Sequence, residues 1–448
     1  PIKALSNQKY YEFTKKFPEI SFGLFTGDIK TNPDADVLIM TTEILMNYLF
    51  TSTTNSDDYE SQSSLQFQMD IQNDLACVVF DEVHYINDAD RGQTWEKTIL
   101  MLPRHIQMVM LSATIDNPEG FARWCEKGDI EPDAKCVYLA STSHRVVPLS
   151  HYGFLTTTEA VYKTIRDKVT QKEIRDNTNQ LIPLQDANGT FNEVNSKKIT
   201  KINGLFETNR IRINRKHALN KLASFLKEKE MLPAIAFVFS RKNVESCAHD
   251  ITVPLNEFDS KVSYTVRGEC EQIIRKLPNY KEYLELPEYN RLVSLLEKGI
   301  GIHHSGMIPI LREIVELMIS KRYIKLLFAT ESFAIGLDCP IKTAIFTSLT
   351  KFDGHTQRHL LAHEYTQMAG RAGRRGIDTV GHVVHCNNLF DSPMLADYKR
   401  ILGGKPQQLV SKFHISYPLI LNLLKNGQNR DFHLFSQKSM VQQEILKS

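Results

Sequence analysis

The stretch Leu-Ala-Cys-Val-Val-Phe-Asp-Glu-Val-His occupies residues 75–84. It begins with a short apolar run typical of a buried β-strand, and two carboxylates, Asp81 and Glu82, follow at once. Parallel sheets bind their ligands at the carboxyl ends of the strands. Asp81 is therefore a candidate to hold Mg²⁺ through water, and Glu82 to polarise a water that attacks a γ-phosphate. His84 could link this site to neighbouring elements. The alternative interpretation is a solvated acidic turn.

Apolar runs of the same kind recur along the chain. They lie at 37–40 and 108–111 in a first block, and at 234–239, 324–329 and 343–346 in a second. Continuous apolar strands separated by helical patterns are typical of parallel sheets that helices cover on both faces. The predicted fold class is therefore α/β, with two related domains in tandem.

The domain organisation predicted from these blocks has four segments. Residues 1–150 and 216–402 form the two α/β domains, and the polar residues 151–215 form a linker or an insertion between them. Residues 403–448 have a largely helical pattern and are predicted to start a third domain.

Composition excludes several classes of protein. The chain has 448 residues, 42% hydrophobic and 24% charged, and its 54 basic and 52 acidic side chains leave a net charge of +2. These values are ordinary for a globular protein and exclude a disordered chain, a collagen-like repeat and a disulfide-rich miniprotein. No apolar run approaches the roughly 18 residues that a membrane span needs. Seven cysteines without C-x-x-C spacing favour a reducing, intracellular compartment.

Two further patterns are candidates for chemistry. Ser-Ala-Thr at 112–114 follows an apolar run, where small hydroxyl side chains can hydrogen-bond a neighbouring carboxylate, although alone it is better explained as a helix N-cap. Residues 367–376 read Gln-Met-Ala-Gly-Arg-Ala-Gly-Arg-Arg-Gly. Arginines three positions apart can face one site, and the guanidinium fork suits phosphate oxygens. The regular Gly-Arg spacing makes a solvated basic surface the weaker alternative.

Taken together, the patterns at 81–84, 112–114 and 367–376 resemble motifs II, III and VI of superfamily 2 helicases. The rest of the chain resembles the Ski/Mtr-type DExH-box RNA helicases, the exosome-associated branch of that superfamily. The further matches stand in family order: PIKALSNQKY at 1–10 (motif Ia), TGD at 26–28, TTEIL at 41–45 (motif Ib), FVFSRK at 237–242 (motif IV), GIHHSG at 301–306, and FATESFA at 328–334, which leads into motif V.

The resemblance implies an ATP-dependent RNA helicase with two RecA-like domains. Such an enzyme uses ATP and Mg²⁺, translocates 3′ to 5′ along single-stranded RNA and unwinds duplexes that carry an overhang. An exosome-type RNA decay complex is the further partner implied, and the compartment is nuclear or cytoplasmic. By the same resemblance, residues 350–354 match the family's strand-separating hairpin, and residues 409–424 resemble the entry to its winged-helix domain.

The resemblance also assigns roles to individual residues. The residues implied in catalysis are Asp81, Glu82, His84, Gln367, Arg371 and Arg374. Of these, Asp81 would hold Mg²⁺ through water. Those implied in nucleotide binding are Gly336 and Asp338, and those implied in coupling are Ser112, Ala113 and Thr114. Those implied in binding the RNA backbone are Thr26, Thr41, Thr42, Arg241, His304 and Thr330.

Two departures from the family pattern change the expectations. Motif V usually reads Gly-x-Asn-Met-Pro, whereas residues 336–340 read Gly-Leu-Asp-Cys-Pro, so the expected ribose contact is altered. The sequence also contains no G-x-x-x-x-G-K-[ST] phosphate loop, since its only Gly-Lys pair, at 404–405, precedes a proline. We expect this loop upstream of residue 1 in a longer protein, and little ATP hydrolysis by the chain alone. A DNA-repair helicase of the same superfamily and a non-catalytic nucleic-acid clamp remain open as alternatives.

Overall fold

The structure is a computed structural model of the chain. The residues that it describes are 3–27, 29–51, 71, 73–88, 91–113, 115–126, 136–142, 145–256, 261–334, 339–404, 406–425 and 432–442. They divide into two compact units: unit 1 is Pro1–Thr142 with Pro406–Ser448, and unit 2 is Ser143–Lys405. Within the described ranges, no helix combines the length and the apolar content needed to cross a membrane.

Helices account for most of the regular structure. In chain order they are α1 (Lys3–Lys16), α2 (Thr42–Thr51), α3 (Gly92–Met101), α4 (Pro118–Glu126), α5 (Glu159–Thr164), α6 (Lys168–Asp176), α7 (Glu193–Thr208), α8 (Arg215–Glu228), α9 (Arg241–Asp250), α10 (Val262–Ile274), α11 (Tyr280–Glu285), α12 (Pro287–Leu296), α13 (Pro309–Ser320), α14 (Ala362–Ala369), α15 (Leu395–Gly403), α16 (Tyr417–Lys425) and α17 (Phe432–Gln437). Two short 3₁₀ helices span Val83–Asn87 and Glu331–Ala334.

The strands are short. They are β1 (Phe22–Phe25), β2 (Lys30–Thr31), β3 (Val37–Met40), β4 (Cys77–Phe80), β5 (Gln107–Met110), β6 (Ile115–Asp116), β7 (Leu149–Phe154), β8 (Leu181–Gln185), β9 (Ala234–Phe237), β10 (Ile300–His303), β11 (Leu326–Ala329), β12 (Thr343–Phe346), β13 (Thr350–Phe352), β14 (Gln357–His359), β15 (Gly381–Cys386) and β16 (Gln407–Gln408).

Unit 1 carries small parallel pairings around one apolar core. Strand β1 pairs in parallel with β3 and antiparallel with β2, while β4 pairs in parallel with β5. The core of this unit includes Ile86, Ile99 and Ile106, none of which has measurable exposure, and both tryptophans of the chain, Trp95 and Trp124. The β4–β5 pair is less buried than its apolar sequence predicts, since Phe80 is buried but Cys77 and Val79 are exposed. The acidic pair follows β4 at the end of this partly exposed pairing.

Unit 2 is built on a seven-stranded sheet in the order β10-β11-β9-β12-β15-β7-β8. All neighbours are parallel except β7 and β8. The strands β9, β10, β11 and β12 are buried at every residue, as their continuous apolar runs predict. The predicted α/β class is therefore confirmed, with a mostly parallel sheet at its centre.

The structure differs from the sequence interpretation over residues 151–215. This segment is an integral part of unit 2, since most of β7 and all of β8 lie in it and extend the central sheet. Helix α7 is polar overall but buries Ile199, Ile202 and Phe206, which recur on one face at helical spacing. The segment was predicted to be a linker because its overall composition is polar. The helical spacing of its few apolar residues was not considered.

The structure also differs over the last segment. Residues 406–448 belong to unit 1 and do not form a separate compact body among the described residues. Strand β16 pairs in parallel with β6, through Gln407 opposite Ile115, and Leu419 and Leu423 are buried in the core of unit 1. The apolar face of α16 thus packs in the core of unit 1.

Candidate functional site

The parallel pair β4–β5 brings the two predicted motifs of unit 1 side by side. Beyond the strand ends, the N–H of Leu111 donates to the carbonyl of Phe80 at 2.8 Å, and the N–H of Val83 donates to the carbonyl of Leu111 at 3.0 Å. These bonds continue the ladder past β4 and β5. The half-buried acidic residues 81–82 and the exposed residues 112–113 therefore share the carboxyl edge of this pair. We call this edge the acidic edge.

Glu82 has an unusual backbone conformation on the acidic edge. Its φ is 61° and its ψ 49°, in the left-handed region, where a residue with a Cβ costs on the order of 1 kcal/mol. The conformation caps the 3₁₀ helix Val83–Asn87, which is anchored by the buried side chains of Val83 and Ile86. The packing of that helix thus holds the Glu82 backbone in place.

His84 connects the acidic pair with the serine–alanine turn. Its Nδ1 lies 3.4 Å from Oε2 of Glu82 and 3.5 Å from the backbone nitrogen of Ala113. Burial lowers the pKa of His84, although the charge of Asp81 opposes the shift, so the imidazole is neutral near pH 7. Nδ1 of His84 faces Glu82 and Ala113, whereas Nε2 is buried and has no hydrogen-bond partner among the described residues.

The glycine–arginine motif of unit 2 forms a loop at the amino edge of the central sheet. This loop, residues 370–376, follows α14, and the N–H of Gly373 donates at 3.0 Å to the carbonyl of Ile341, just before β12. Gly373 has a φ of +90°, and a Cβ there would lie only 2.4 Å from Cγ1 of Val147. Glycine is thus required at this position both by the backbone and by the neighbouring side chain.

Arg145 holds this arginine loop, a role that sequence reasoning missed. Its Nη2 donates to the carbonyls of Gly370 at 2.6 Å and Ala372 at 3.3 Å, and its Nε donates to the carbonyl of Val147 at 2.7 Å. Burial, together with the nearby charge of Arg371, lowers the pKa of Arg145 from its usual value. One guanidinium thus fixes three carbonyls around the loop.

Arg374 is already engaged in an ion pair. Its Nε and Nη2 donate to the two carboxylate oxygens of Asp378, each at 2.8 Å, and its backbone N–H donates to the same carboxylate. The hydrogen bond raises the pKa of Arg374 and lowers that of Asp378. Asp378 therefore orients the guanidinium that is predicted to face phosphate. The other two predicted residues of this motif, Gln367 on α14 and Arg371, are half-buried.

The predicted RNA-binding residues of unit 2 lie at the opposite, carboxyl edge of the sheet. Arg241 begins α9 after β9 and is exposed, and Thr330 follows β11 and is half-buried. His304 follows β10 but is only 4% exposed; its Nδ1 accepts from the N–H of Gly306 and its Nε2 lies 3.3 Å from Glu245. His304 is therefore largely buried and shapes a turn, although its ring lines a small cavity beside Glu245.

Two predicted threonines of unit 1 are buried as well. Thr26 is 1% exposed, and its hydroxyl accepts a hydrogen bond from the N–H of Ile29 at 3.2 Å, which closes a turn. Thr42 is 6% exposed at the start of α2, while Thr41 before it is half-buried. Small hydroxyl residues at strand ends satisfy backbone groups as readily as they bind a ligand, and their sequence pattern does not separate the two uses.

The three remaining predicted residues, Thr114, Gly336 and Asp338, lie outside the described residues. The predicted hairpin is present: β13 and β14 pair antiparallel, and the side chain of Asp353 accepts hydrogen bonds from the N–H groups of residues 355 and 356 at the tip. Phe352, beside the tip, is 58% exposed.

Comparison with known proteins agrees with this geometry. Residues 1–121 match the family model of the DEAD/DEAH box helicases. The chain is 36% identical to antiviral helicase SKI2 of Saccharomyces cerevisiae, an alignment covering 95% of the chain and 34% of that protein. It is 38% identical to superkiller complex protein 2 of Homo sapiens, covering 95% and 32%. It is 36% identical to ATP-dependent RNA helicase mtr4 of Schizosaccharomyces pombe, covering 97% and 36%. The chain thus spans about a third of the length of these relatives.

Proposed function

Because the chain belongs to the DExH-box helicases of the Ski2 and Mtr4 type, we propose that the protein is an ATP-dependent RNA helicase. It translocates along single-stranded RNA and separates duplexes ahead of it. The observation that carries the proposal is the acidic edge, where hydrogen bonds beyond β4 and β5 hold the Asp-Glu pair against residues 112–113.

The acidic edge is suited to activate water beside a nucleotide. Glu82, held by the 3₁₀ helix behind it, polarises the attacking water. Nδ1 of His84, which is neutral near pH 7, lies beside both Glu82 and the N–H of Ala113. It can donate to the carboxylate or accept from the N–H, but not both at once. A change at the nucleotide would therefore reach the turn at residues 112–113 through a single imidazole.

The residues present also fit Mg²⁺. The described residues contain no group of three metal-ligating side chains, and Asp81 is half-buried at the rim of the sheet. Mg²⁺ characteristically keeps most of its waters and binds one or two carboxylates together with substrate phosphates, so Asp81 would hold it through water. When bound, the ion neutralises charge that develops on the phosphates.

The arginine loop contributes positive charge to the phosphates. Arg371 and Arg374 lie on a loop whose backbone is fixed by Arg145 and by Gly373. Such preorganisation is where arginine fingers gain their effect on phosphoryl transfer. Asp378 keeps Arg374 extended by a bidentate pair until phosphate oxygens compete for it.

We propose RNA contacts only for those predicted residues whose side chains a ligand can reach. We retain Arg241 and Thr330 at the carboxyl edge of the sheet and Thr41 in unit 1 as backbone-binding residues. Thr26, Thr42 and His304 are at most 6% exposed and are not part of this proposal. Contacts of this kind bind a strand without reading its sequence.

A finer proposal concerns the assembly. One relative is named a superkiller complex protein, which places that protein in a multi-subunit assembly. We propose that this protein likewise acts on RNA that is handed to, or received from, an exosome-type decay complex.

ATP hydrolysis tests the proposed function. The protein is produced with its native upstream sequence, and phosphate release is measured with single-stranded RNA, with single-stranded DNA and without nucleic acid. We expect strong stimulation by RNA alone. Equal or greater stimulation by DNA would favour the DNA-repair alternative, and RNA binding without turnover would favour the clamp.

A further inference from the structure

The base of the hairpin carries two cations directly opposite each other. Lys351 on β13 is the cross-strand partner of Arg358 on β14. Like charges at such a position destabilise a strand pair, because their side chains stand only about 5 Å apart at Cβ. The hairpin therefore needs a counter-ion at this register.

Glu364 supplies that counter-ion from the first turn of α14. Its Oε1 lies 2.8 Å from Nζ of Lys351 and 2.8 Å from Nη2 of Arg358. Its Oε2 accepts from Nη1 of Arg358 at 2.9 Å and from the N–H of Leu361 at 2.9 Å. A single carboxylate thus bridges both strands of the hairpin and caps the helix.

The carboxylate remains ionised in this position. The side chain of Glu364 is only 16% exposed, and burial alone would raise its pKa. The hydrogen bonds from Arg358 and Lys351 outweigh burial and hold the pKa at about 2. The bridge is therefore a charged one at neutral pH.

The other nearby carboxylates do not bridge the two strands. Glu331 contacts Lys351 at 2.6 Å but is 47% exposed, so solvent weakens that pair. Asp353 lies 3.6 Å from Nε of Arg358, and its side chain also accepts the turn hydrogen bonds at the hairpin tip. Among these three carboxylates, Glu364 alone has contacts to both cations.

Helix α14 links the hairpin with the arginine loop. The hairpin follows β12 at the carboxyl edge of the sheet, whereas the loop after α14 is bonded to Ile341 at the amino edge. The helix has eight residues and spans about 12 Å. Tyr365 fixes its middle, since its buried hydroxyl lies 2.6 Å from His151 and 2.8 Å from His385.

We propose that Glu364 is a positioning residue that couples the strand-separating hairpin to the helix carrying Gln367 and leading to the arginines. The inference rests on the proposed helicase function. Through Glu364, a displacement of α14 during the ATP cycle moves the hairpin as one body with it. Without the carboxylate the opposed cations push the hairpin base apart, and hydrolysis proceeds without productive strand separation.

The test compares unwinding with hydrolysis in Glu364→Gln, in the protein that carries its native upstream sequence. The readout is base pairs of RNA separated per ATP hydrolysed. We expect this ratio to fall about tenfold or more, which corresponds to about 1.4 kcal/mol, while RNA-stimulated hydrolysis stays within about twofold of the unsubstituted protein. The double variant Lys351→Gln, Glu364→Gln relieves the opposed cations but does not restore the link to α14, so its ratio should stay low. Recovery of the ratio would show that Glu364 only neutralises charge and would overturn the inference.

Glu297→Gln is the matched control. Glu297 is 20% exposed and accepts from Arg267 at 2.6 Å, but it ends α12 and has no contact with the hairpin. Its ratio should match that of the unsubstituted protein. An unchanged ratio in Glu364→Gln, including the case in which unwinding and hydrolysis fall together, would overturn the inference. A failure of the unsubstituted protein to unwind RNA would instead overturn the proposed function, so the two failures are distinguishable.

Discussion

The arginine loop offers a sharp test of the packing that positions it, because two of its glycines share a positive φ but differ in the space around them. Gly373 and Gly376 have φ values of +90° and +76°. A Cβ at position 376 would meet no heavy atom within 4 Å, whereas one at position 373 would lie 2.4 Å from Cγ1 of Val147 and 3.1 Å from Cα of Gly381. Alanine at 376 therefore reports backbone strain alone, and alanine at 373 reports strain and steric conflict.

The magnitudes follow from these distances. Placing a Cβ at positive φ costs about 1–2 kcal/mol in either variant. The conflict with Val147, which is 5% exposed and so has little room to move, adds about 1–3 kcal/mol, the usual cost of overpacking. We expect Gly376→Ala to lose about 1–2 kcal/mol and Gly373→Ala about 2–5 kcal/mol. Adding Val147→Ala to Gly373→Ala should recover part of the difference.

Hydrogen exchange followed by mass spectrometry measures these losses in unit 2, from peptides that cover β7 and β15 on either side of the conflict. Tryptophan fluorescence during urea unfolding is the internal control, because both tryptophans, Trp95 and Trp124, lie in unit 1. The fluorescence midpoint should not change. Equal losses of protection in the two alanine variants would refute the reasoning.

Three further predictions concern the acidic edge, the arginine loop and the buried histidines of unit 2. Glu82→Gln should abolish ATP hydrolysis but leave RNA affinity unchanged, which a filter-binding titration checks; retained turnover would contradict its role. Arg374→Ala should lower kcat by about 10³-fold or more, on the scale of arginine fingers, and normal turnover would contradict that role. Asp378→Asn should lower kcat less, because Arg374 stays charged but loses the bidentate pair that orients it. Unit 2 should lose stability as the pH falls from about 6.5, because burial lowers the pKa of His151 to about 4 and that of His385 well below 6.5, so the unfolded chain binds the protons. Each histidine contributes a slope of up to about 1.4 kcal/mol per pH unit, and exchange protection in unit 2 that is equal at pH 7 and pH 5 would contradict this.

The extent to which the sequence predicted the molecule depended on how local each signal was. The buried strands of unit 2 were predictable because a strand covered on both faces must be apolar at every residue, as at 234–237. The acidic pair after β4 was predictable for a similar reason, since chemistry at a parallel sheet gathers where strands end. The segment 151–215 was not, because the buried residues of α7 are diluted by its polar face.

The candidate site was less accessible from sequence than the fold. Arg145 donates to a backbone carbonyl 225 residues away. Because every residue has such a carbonyl, the residue type at the acceptor position does not predict the bond. Glu364 stands three residues before the motif that begins at 367. Its role could not be inferred until the structure showed that Lys351 and Arg358 are cross-strand partners. Thr26 and His304 show the converse, since their residue types suit RNA binding but they are only 1% and 4% exposed.

The order of strands in unit 2 has a consequence for synthesis. Strand β7 opens the unit, but one of its two neighbours, β15, is the last strand of the seven-stranded sheet in chain order. Thr156 and Asn388, which are hydrogen-bonded just beyond these strands, are 232 residues apart. At ribosomal rates of about 5–20 residues per second, β7 waits roughly 10–50 s for that partner. Its antiparallel neighbour β8 is made soon after it, so a nascent chain can hold β7 in a local hairpin during the interval. A ribosome that stalls between these two strands would leave the β15-facing edge of β7 unpaired, and an unpaired strand edge is a site of aggregation from which a chaperone can protect the growing chain.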